Sequence, residues 1–148
     1  MPYEFKITRR VEFSETDMAG IVHFSNFFRY VESAEHAFFR SLGHSIVTQT
    51  TDPPVGWPRV HASFDYQAPL KFEDEFEVHL LVAEKKTRTL TYQCHIRKLT
   101  EAGLVNCAVG KLTVVCVTRD SSGKMSASHI PAAIADLIEE APADLLHA

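Results

Sequence analysis

One segment of this chain repeats its apolar side chains with the period of a helix, whereas the segments around it alternate. Between residues 25 and 42 an apolar side chain recurs every three or four positions, which marks one buried helix face. These positions are Phe27, Val31, Ala34, Phe38 and Leu42. Ser25 is placed to cap the start, and Gly43 can adopt the left-handed conformation that often follows a helix end. A single long helix of this kind has to be buried against strands.

Five further segments alternate apolar and polar side chains, as half-buried β-strands do. They cover residues 4–13, 60–68, 75–83, 88–99 and 104–118. Arg9 breaks the pattern of the first, because it falls among the apolar positions. The last is apolar on both parities, so both of its faces need cover, and Gly110 within it indicates a bulge or a close approach of another segment. The helix covers one face, which leaves the other to the C-terminal segment or a partner subunit.

The connections between these strands are short, which favours antiparallel neighbours. We therefore predict an α+β fold, with one long helix wrapped by a five-stranded antiparallel sheet, as a single domain over residues 1–148. Residues 121–129 are predicted to form a flexible polar loop. Residues 130–141 are predicted to form a short terminal helix with a proline in its first turn.

Charge and composition argue against several classes of function. The formal net charge of −4 does not fit a nucleic-acid-binding protein, which needs clustered cations. The only compact basic run, residues 85–88, taken alone indicates a solvated hairpin turn. The sequence shows no secretory signal and no apolar run long enough to span a membrane. The three cysteines lack a C-x-x-C spacing and indicate buried thiols of a reducing compartment, so we expect a cytoplasmic protein.

Sequence motifs for metal, nucleotide or serine-hydrolase chemistry are absent. The eight histidines form no H-x-x-x-H and no Cys/His cluster with ligand spacing. There is no G-x-S-x-G and no glycine-rich phosphate loop. We therefore predict neither a metal nor a cofactor.

One acid, Asp17, stands out because it precedes the helix in a loop that also contains Gly20. A carboxylate there can bind loop amides, which is a structural role. It can also act as a base or nucleophile on a substrate held at the helix start, where unpaired amides carry partial positive charge and can stabilise an oxyanion. The residues alone leave both roles open.

The stretch FSETDMAGIVHFSNFFRYVE, residues 13–32, resembles the start of the hot-dog-fold acyl-CoA thioesterases. The similarity is greatest to the 4-hydroxybenzoyl-CoA thioesterase branch and its Tol-Pal-associated relatives. The matching positions are Asp17, Gly20, Ile21, Val22, His23, Asn26 and Phe27. The segment YQAPLKFEDEFEV, residues 66–78, resembles a later strand and turn of the family through Ala68, Pro69, Leu70 and Asp74. The predicted order of elements matches over nearly the whole chain.

This resemblance implies a hot-dog fold and hydrolysis of an acyl-CoA thioester to a free acid and coenzyme A. Proteins of the family dimerise by joining their sheets edge to edge, often pair again, and have active sites at the dimer interface. The expected partners are thus an acyl-CoA substrate and further copies of the chain, as a homodimer and a homotetramer.

The resemblance also assigns roles at the start of the helix. Asp17 is the catalytic acid, either as nucleophile or as general base, and the backbone amide of Phe24 is the oxyanion donor. Gly20 lets the loop approach the thioester, and Asn26 is counted with it among the substrate-binding positions. His23 stands where the 4-hydroxybenzoyl branch has an aromatic residue, so it either orients the thioester carbonyl or packs at the loop.

Two further groups of positions follow from the resemblance. Glu32 aligns with a shorter acid that faces the hydroxyl of the acyl group, although it can equally be an exposed helix acid. The coenzyme A phosphates need cations, for which the candidates are Lys85, Lys86 and Arg88, with Lys124 as a fourth.

The sequence does not identify the acyl group of the substrate. Phe24, Phe27, Phe28 and Trp57 could line an aromatic pocket, but aromatic side chains at helical spacing also belong in a core. The same fold also serves dehydratases, acyl-CoA-binding sensors and scaffold proteins of envelope complexes, and these are the alternative functions.

Overall fold

A computed structural model describes residues 2–147 of the chain. Its seven strands and principal helix follow one another as β1 (Glu4–Arg10), α1 (Asn26–Ser41), β2 (Arg59–Tyr66), β3 (Glu75–Lys85), β4 (Thr89–Thr100), β5 (Gly103–Val115), β6 (Val117–Arg119) and β7 (Met125–Ala127). A 3-10 turn, Phe13–Glu15, lies between β1 and α1. Two short helices, α2 (Ala132–Ala135) and α3 (Ala143–Leu146), follow β7.

The main sheet has the strand order β1-β3-β4-β5-β2, and every neighbouring pair is antiparallel. This confirms the predicted α+β fold, with five antiparallel strands and one long helix. Strands β1 and β2 form the two edges of the sheet. The start of α1 and the end of β2 meet at one end of the sheet. There the Tyr66 hydroxyl donates to the Phe24 carbonyl at 3.0 Å.

The long helix is buried along the face that its periodicity predicted. Phe27, Val31, Ala34 and Phe38 are all buried, and they pack against the apolar faces of the strands. Each large apolar side chain buried in this way contributes about 2 kcal/mol to the hydrophobic stabilisation. The helix therefore cannot leave the sheet without losing most of the core.

The ends of the helix confirm one prediction and correct another. Gly43 has a φ of +85° just beyond the helix, as predicted for the residue that ends it. The predicted Ser25 side-chain cap is wrong, because Ser25 has helical backbone angles and makes no capping hydrogen bond. Its Oγ instead lies 2.7 Å from His23 Nδ1.

Arg9, the exception in the first strand, faces the helix and is paired there. Its Nη1 donates to Ser33 Oγ at 2.7 Å, and its guanidinium lies over the Tyr30 ring, 5.1 Å from the ring centre. The charge is thus compatible with an apolar position because hydrogen bonds and a cation–π contact compensate for its burial.

The C-terminal region differs from its prediction in two places. Residues 121–129 are not wholly a loop, because β7 pairs with β6 as a small hairpin. The predicted terminal helix over 130–141 contains only one short helix, α2. The chain then crosses the outer face of the main sheet, where Ala141 N–H donates to Val82 O at 2.8 Å and Gln93 Nε2 donates to Leu146 O at 2.8 Å. The C-terminal segment therefore covers part of the face that the helix leaves open.

Two histidines, His79 and His95, are buried on this outer face. Neutral His79 donates from Nε2 to Glu4 at 3.0 Å and accepts at Nδ1 from Arg97 at 3.2 Å. Neutral His95 accepts at Nε2 from Gln93 at 2.8 Å. Burial, and next the charge of Arg97, lowers the pKa of His95 to about 4, and burial also lowers the pKa of His79.

The pKa of His95 predicts a loss of stability in acid. Because its folded pKa lies below the value of the unfolded chain, the unfolded state binds more protons between pH 6.5 and about 4, and stability falls as the pH drops through that window. The expected loss from His95 alone is about 3 kcal/mol at pH 4. Urea unfolding at pH 7.5 and pH 4 measures it. His95→Gln should remove that share of the pH dependence, and an unchanged slope in this variant would contradict the prediction.

Candidate functional site

The loop that carries Asp17 is closed on itself before the helix begins. Asp17 N–H donates to Ile21 O and Gly20 N–H donates to Asp17 O, both at 2.9 Å. Gly20 completes this turn with a φ of +81°, which is readily available only to glycine. The Asp17 carboxylate accepts the Ala19 N–H through Oδ1 at 2.9 Å, while within residues 2–147 Oδ2 has no hydrogen-bond partner. The loop amide orients the carboxylate and leaves one oxygen available.

The same loop is tied to the first turn of α1 through Glu15. The Glu15 carbonyl accepts from His23 N–H at 2.9 Å and from Asn26 Nδ2 at 2.8 Å. Its carboxylate accepts from the buried Tyr30 hydroxyl at 2.9 Å. The Asn26 side chain thus holds the loop against the helix and is not among the residues that line the neighbouring pocket.

An open pocket of about 470 Å³ lies between this loop, the start of α1 and the end of β2. Asp17 and Phe24 both line it, together with Ile21, Val22, Phe27 and residues 66–70. Among the residues that the structure describes, no acceptor is found for the Phe24 backbone N–H. Asp17 and a residue whose amide is unpaired just before the helix therefore line one pocket, and a carboxylate and an unpaired amide are groups that can serve acyl transfer.

His23 lies beside this pocket without lining it. Its ring packs on Phe24, with 4.5 Å between the ring centres, and its Nδ1 accepts the Ser25 N–H at 3.3 Å. These contacts are packing contacts at the loop, and the other predicted role, orienting the thioester carbonyl, stays a prediction.

A second, more enclosed cavity of about 210 Å³ lies further along the helix, between α1, β2 and β5. Its walls are mainly apolar, but Glu32 and Arg59 also line it. Arg59 Nη2 donates to Glu35 Oε1 at 2.5 Å and to Glu32 Oε2 at 3.4 Å, and Nη1 donates to Glu35 Oε2 at 3.3 Å and to Trp57 O at 3.0 Å. Glu35 is 0% exposed. Burial raises the pKa of Glu35, and the Arg59 charge partly offsets that effect.

Glu35 and Arg59 were not among the site residues predicted from the sequence. Glu35 directly follows Ala34 of the buried helix face, which was a signal that this acid could be buried. Trp57, a candidate for the aromatic pocket, is instead a core residue that packs on Phe39 and donates to Thr48 Oγ1 at 3.2 Å. Of the other aromatic candidates, Phe24 and Phe27 line the first pocket and Phe28 lines the second.

The ring of Phe64 stands between the two cavities. It lies 5.8 Å from the Phe27 ring and 5.1 Å from the Phe28 ring, between ring centres. It also covers Gly110 so closely that a Cβ added there would be 2.6 Å from the ring. The predicted close approach at Gly110 is therefore confirmed.

Gly110→Ala is expected to displace the Phe64 ring and to destabilise the fold by about 1–3 kcal/mol, because the core is overpacked at this point. Thermal unfolding measures the effect. Gly56→Ala is the matched control, since the new Cβ would have a single ordinary contact at 3.5 Å. Gly110→Ala combined with Phe64→Leu should regain part of the loss, and equal stability of the two single variants would contradict the prediction.

The predicted cations lie away from Asp17 in the same chain. Lys85, Lys86 and Arg88 occupy the end of β3 and the turn to β4, whereas the start of β3 is beside the Asp17 loop, where Val11 N–H donates to Asp74 O at 2.9 Å. Lys85 Nζ donates to the Ala135 and Ile138 carbonyls, at 2.9 and 2.7 Å. Lys86 is paired with Glu84 at 3.5 Å. Their role with coenzyme A stays a prediction.

Neither a metal cluster nor a membrane-spanning helix is found in residues 2–147. No group of three or more His, Cys, Asp or Glu side chains there could hold a metal ion. In the same residues, no helix is both long and apolar enough to cross a bilayer.

Comparison with known proteins gives consistent matches. The family model of the thioesterase-like superfamily matches residues 11–147. A putative esterase of Aquifex aeolicus is 35% identical over 124 residues, which are 81% of this chain and 94% of that protein. A 1,4-dihydroxy-2-naphthoyl-CoA hydrolase of Nostoc punctiforme is 31% identical over 77 residues, which are 52% of this chain and 52% of that protein. The crystal structure of 4-hydroxybenzoyl CoA thioesterase from a Pseudomonas species superposes on this chain with a TM-score of 0.81 at 19% identity. The superposition covers 91% of this chain and 99% of that one, and it supports a shared fold.

Proposed function

Because the chain belongs to the thioesterase-like superfamily and has its hot-dog fold, we propose that it hydrolyses an acyl-CoA thioester to the free acid and coenzyme A. The observation that carries this proposal is the shared pocket of Asp17 and the unpaired Phe24 amide. The alternatives of a sensor, a scaffold or a dehydratase have no comparable observation in their favour.

The proposed reaction uses groups of the chain alone. The thioester carbonyl oxygen accepts the Phe24 N–H, where the helix start stabilises the negative charge that develops on it. Asp17 then either attacks the carbonyl carbon, giving a mixed anhydride that water cleaves, or removes a proton from an attacking water. In both routes the carbon–sulfur bond breaks and the thiolate of coenzyme A leaves and is protonated. No metal or cofactor is needed, so a chelator should leave the rate unchanged.

The partner of this chain is proposed to be a second copy, joined through the β2 edge. Val60 and Tyr66 on this edge strand are 63% and 46% exposed, and an unpaired edge of this kind invites further strand pairing. Antiparallel pairing of two β2 edges forms one continuous sheet with two-fold symmetry. It also brings the Lys86 and Arg88 end of one protomer toward the Asp17 end of the other, where these cations could bind the coenzyme A phosphates. Two such dimers would form the homotetramer.

We place this reaction in the cytoplasm. The cysteines Cys94, Cys107 and Cys116 are buried and unpaired, which suits a reducing compartment.

A panel of acyl-CoA esters with a thiol-detecting reagent tests the proposal through kcat/KM. Release of coenzyme A from at least one ester is the expected result. Tight binding without release would indicate an acyl-CoA-binding protein instead, and no interaction with any ester would favour a scaffold.

A further inference from the structure

We propose that Glu15 is a positioning residue for the reaction, because its side chain fixes Asp17 relative to the Phe24 amide at the start of α1. Glu15 lies two residues before Asp17, at the base of the same loop. The inference rests on the proposed thioesterase function. It adds to that function a residue that lies behind the pocket and acts only through the place it gives to the Asp17 carboxylate.

The Asp17 loop is a small hairpin whose two arms differ in their support. Residues 15–17 run antiparallel to residues 21–23, with two backbone hydrogen bonds of 2.9 Å between the arms. The second arm leads directly into α1, so the helix sets its position. The first arm, which carries Asp17, needs contacts across space to be held against α1. Those contacts decide where the Asp17 carboxylate lies relative to the Phe24 amide.

Glu15 supplies such contacts through its carboxylate. Oε1 accepts from the Tyr30 hydroxyl and from the Glu12 N–H, both at 2.9 Å, and Oε2 accepts from Arg9 Nη2 at 3.4 Å. Tyr30 belongs to the second turn of α1, Arg9 to β1 and Glu12 to the turn that contains Glu15 itself. The first arm of the hairpin is thereby fastened to the helix and to the sheet.

Tyr30 is a firm anchor for this carboxylate. It is 0% exposed, and its ring packs on the rings of Phe76 and Phe27, at 4.6 and 5.9 Å between ring centres. Burial, and next the hydrogen bond to Glu15, raises the pKa of Tyr30, so the hydroxyl keeps its proton well above neutral pH. The anchor therefore remains a hydrogen-bond donor under the conditions of an activity assay.

The backbone carbonyl of Glu15 connects this anchor to the site. It accepts from His23 N–H at 2.9 Å and from Asn26 Nδ2 at 2.8 Å, and His23 directly precedes Phe24. One residue is thus bound to the second helical turn by its side chain and to the helix start by its main chain. A misplacement of about 1 Å between reacting groups can lower a rate about 100-fold, so a loosened Glu15 should slow the reaction.

The charge of Glu15 is balanced locally. The Glu15 and Arg9 side chains are 14% and 29% exposed, and Arg9 also donates from Nη1 to Ser33 Oγ at 2.7 Å. The guanidinium therefore offsets the negative charge that Glu15 would otherwise add near Asp17. The role that we assign to Glu15 is that of a hydrogen-bond acceptor, which a glutamine can largely replace.

Substitutions of Glu15 test this role through kcat and KM, measured with the acyl-CoA ester of the panel that is hydrolysed fastest. Glu15→Leu should lower kcat about 10- to 100-fold and change KM less than about 3-fold, because the pocket walls are retained. Glu15→Gln keeps an oxygen for Tyr30 and Glu12, so its kcat should stay within about 5-fold of the parent value.

Tyr30→Phe tests the anchor from the other side and serves if Glu15→Leu does not fold. It removes only the hydroxyl and should also lower kcat more than it changes KM. The matched control is Tyr92→Phe. Tyr92 is likewise 0% exposed, but within residues 2–147 its hydroxyl has no hydrogen-bond partner. This control should leave kcat and KM at the parent values.

The Asp17→Asn background separates positioning from general damage to the fold. Once the carboxylate is absent, its placement no longer contributes to the rate. Glu15→Leu, or Tyr30→Phe in its place, should therefore lower the residual kcat of Asp17→Asn less than about 2-fold. General damage would lower kcat by the same factor in both backgrounds.

The outcomes distinguish this inference from the proposed function. A parent protein that hydrolyses no acyl-CoA ester overturns both. A folded Glu15→Leu with the parent kcat, or Tyr30→Phe with the parent kcat where Glu15→Leu does not fold, overturns the role of Glu15 alone. The same holds if Glu15→Gln is as slow as Glu15→Leu, or if the loss is equally large in the Asp17→Asn background. In these cases the thioesterase proposal stands.

Discussion

Asp17→Asn is expected to lower kcat for acyl-CoA hydrolysis by about 10²- to 10⁴-fold while the protein keeps its fold. The amide retains an oxygen that can accept the Ala19 N–H, a contact of 2.9 Å in the parent, so the turn stays closed. What is lost is the negative charge needed to attack the thioester or to take a proton from water. Because the Phe24 amide and the pocket walls are unchanged, KM should move much less than kcat.

The matched control for this variant is Asp136→Asn, which changes another exposed acid near the C-terminus. It should leave both kcat and KM at the parent values. Thermal unfolding of both variants should stay within about 0.5 kcal/mol of the parent, as for most surface substitutions. A parent rate in Asp17→Asn would remove Asp17 from the mechanism. Single-turnover hydrolysis in ¹⁸O-labelled water separates the two routes, since label in the Asp17 carboxylate indicates direct attack.

The sequence predicted best what depends on near neighbours in the chain. The helix was expected over 25–42 and runs over Asn26–Ser41, because the apolar spacing and Gly43 both act within a few residues. The starts of the five main strands agree with the predicted segments to within one residue, because alternation is a local property. The end of the first strand was predicted wrongly: it ends at Arg10 and not at residue 13, where the 3-10 turn Phe13–Glu15 begins. Asp17 and the start of α1 are nine residues apart in the chain. Their proximity at one pocket could therefore be predicted from neighbouring residues alone.

Contacts that depend on the order of strands in the sheet could not be predicted from neighbouring residues in the chain. Arg59 and Glu35 are separated by 24 positions, and they meet only because β2 crosses to the far edge of the sheet beside β5. Alternation shows that a segment is a strand but does not show which strand it pairs with. For the same reason the sequence identified the Lys85–Arg88 turn as a cationic hairpin but did not show that it lies at the opposite end of the sheet from Asp17.

The Ser25 error has a different cause. Serine before a helix is a strong capping signal, yet here the Ser25 Oγ lies beside His23 Nδ1, and Glu15 and Asn26 tie the loop to the first helical turn instead. With the end of the loop held in this way, the first helical amides are left without a side-chain cap. The Asn26, Phe27 and Phe28 amides donate to the backbone carbonyls of His23, Phe24 and Ser25 instead, so the helix start does not depend on a side-chain cap.

Arg59→Met is expected to lower the free energy of unfolding by about 3–5 kcal/mol, the largest stability effect that the structure indicates. The substitution removes the guanidinium but leaves Glu35, which is 0% exposed and has its closest contact, at 2.5 Å, with Arg59. Its charge would then be buried without a counter-ion. Urea unfolding at pH 8 measures the loss.

The pH dependence of this loss tests its cause. Burial already raises the pKa of Glu35 in the parent, and removal of Arg59 takes away the main group that opposes the shift. With a folded pKa above the unfolded value, the folded state binds more protons, so the stability of the variant should rise as the pH falls from 8 toward 5. Adding Glu35→Met should restore most of the lost stability and abolish the added pH dependence, because an apolar pair of similar volume replaces the ion pair. If Arg59→Met alone is as stable as this double variant at pH 8, Glu35 does not depend on Arg59 as its counter-ion.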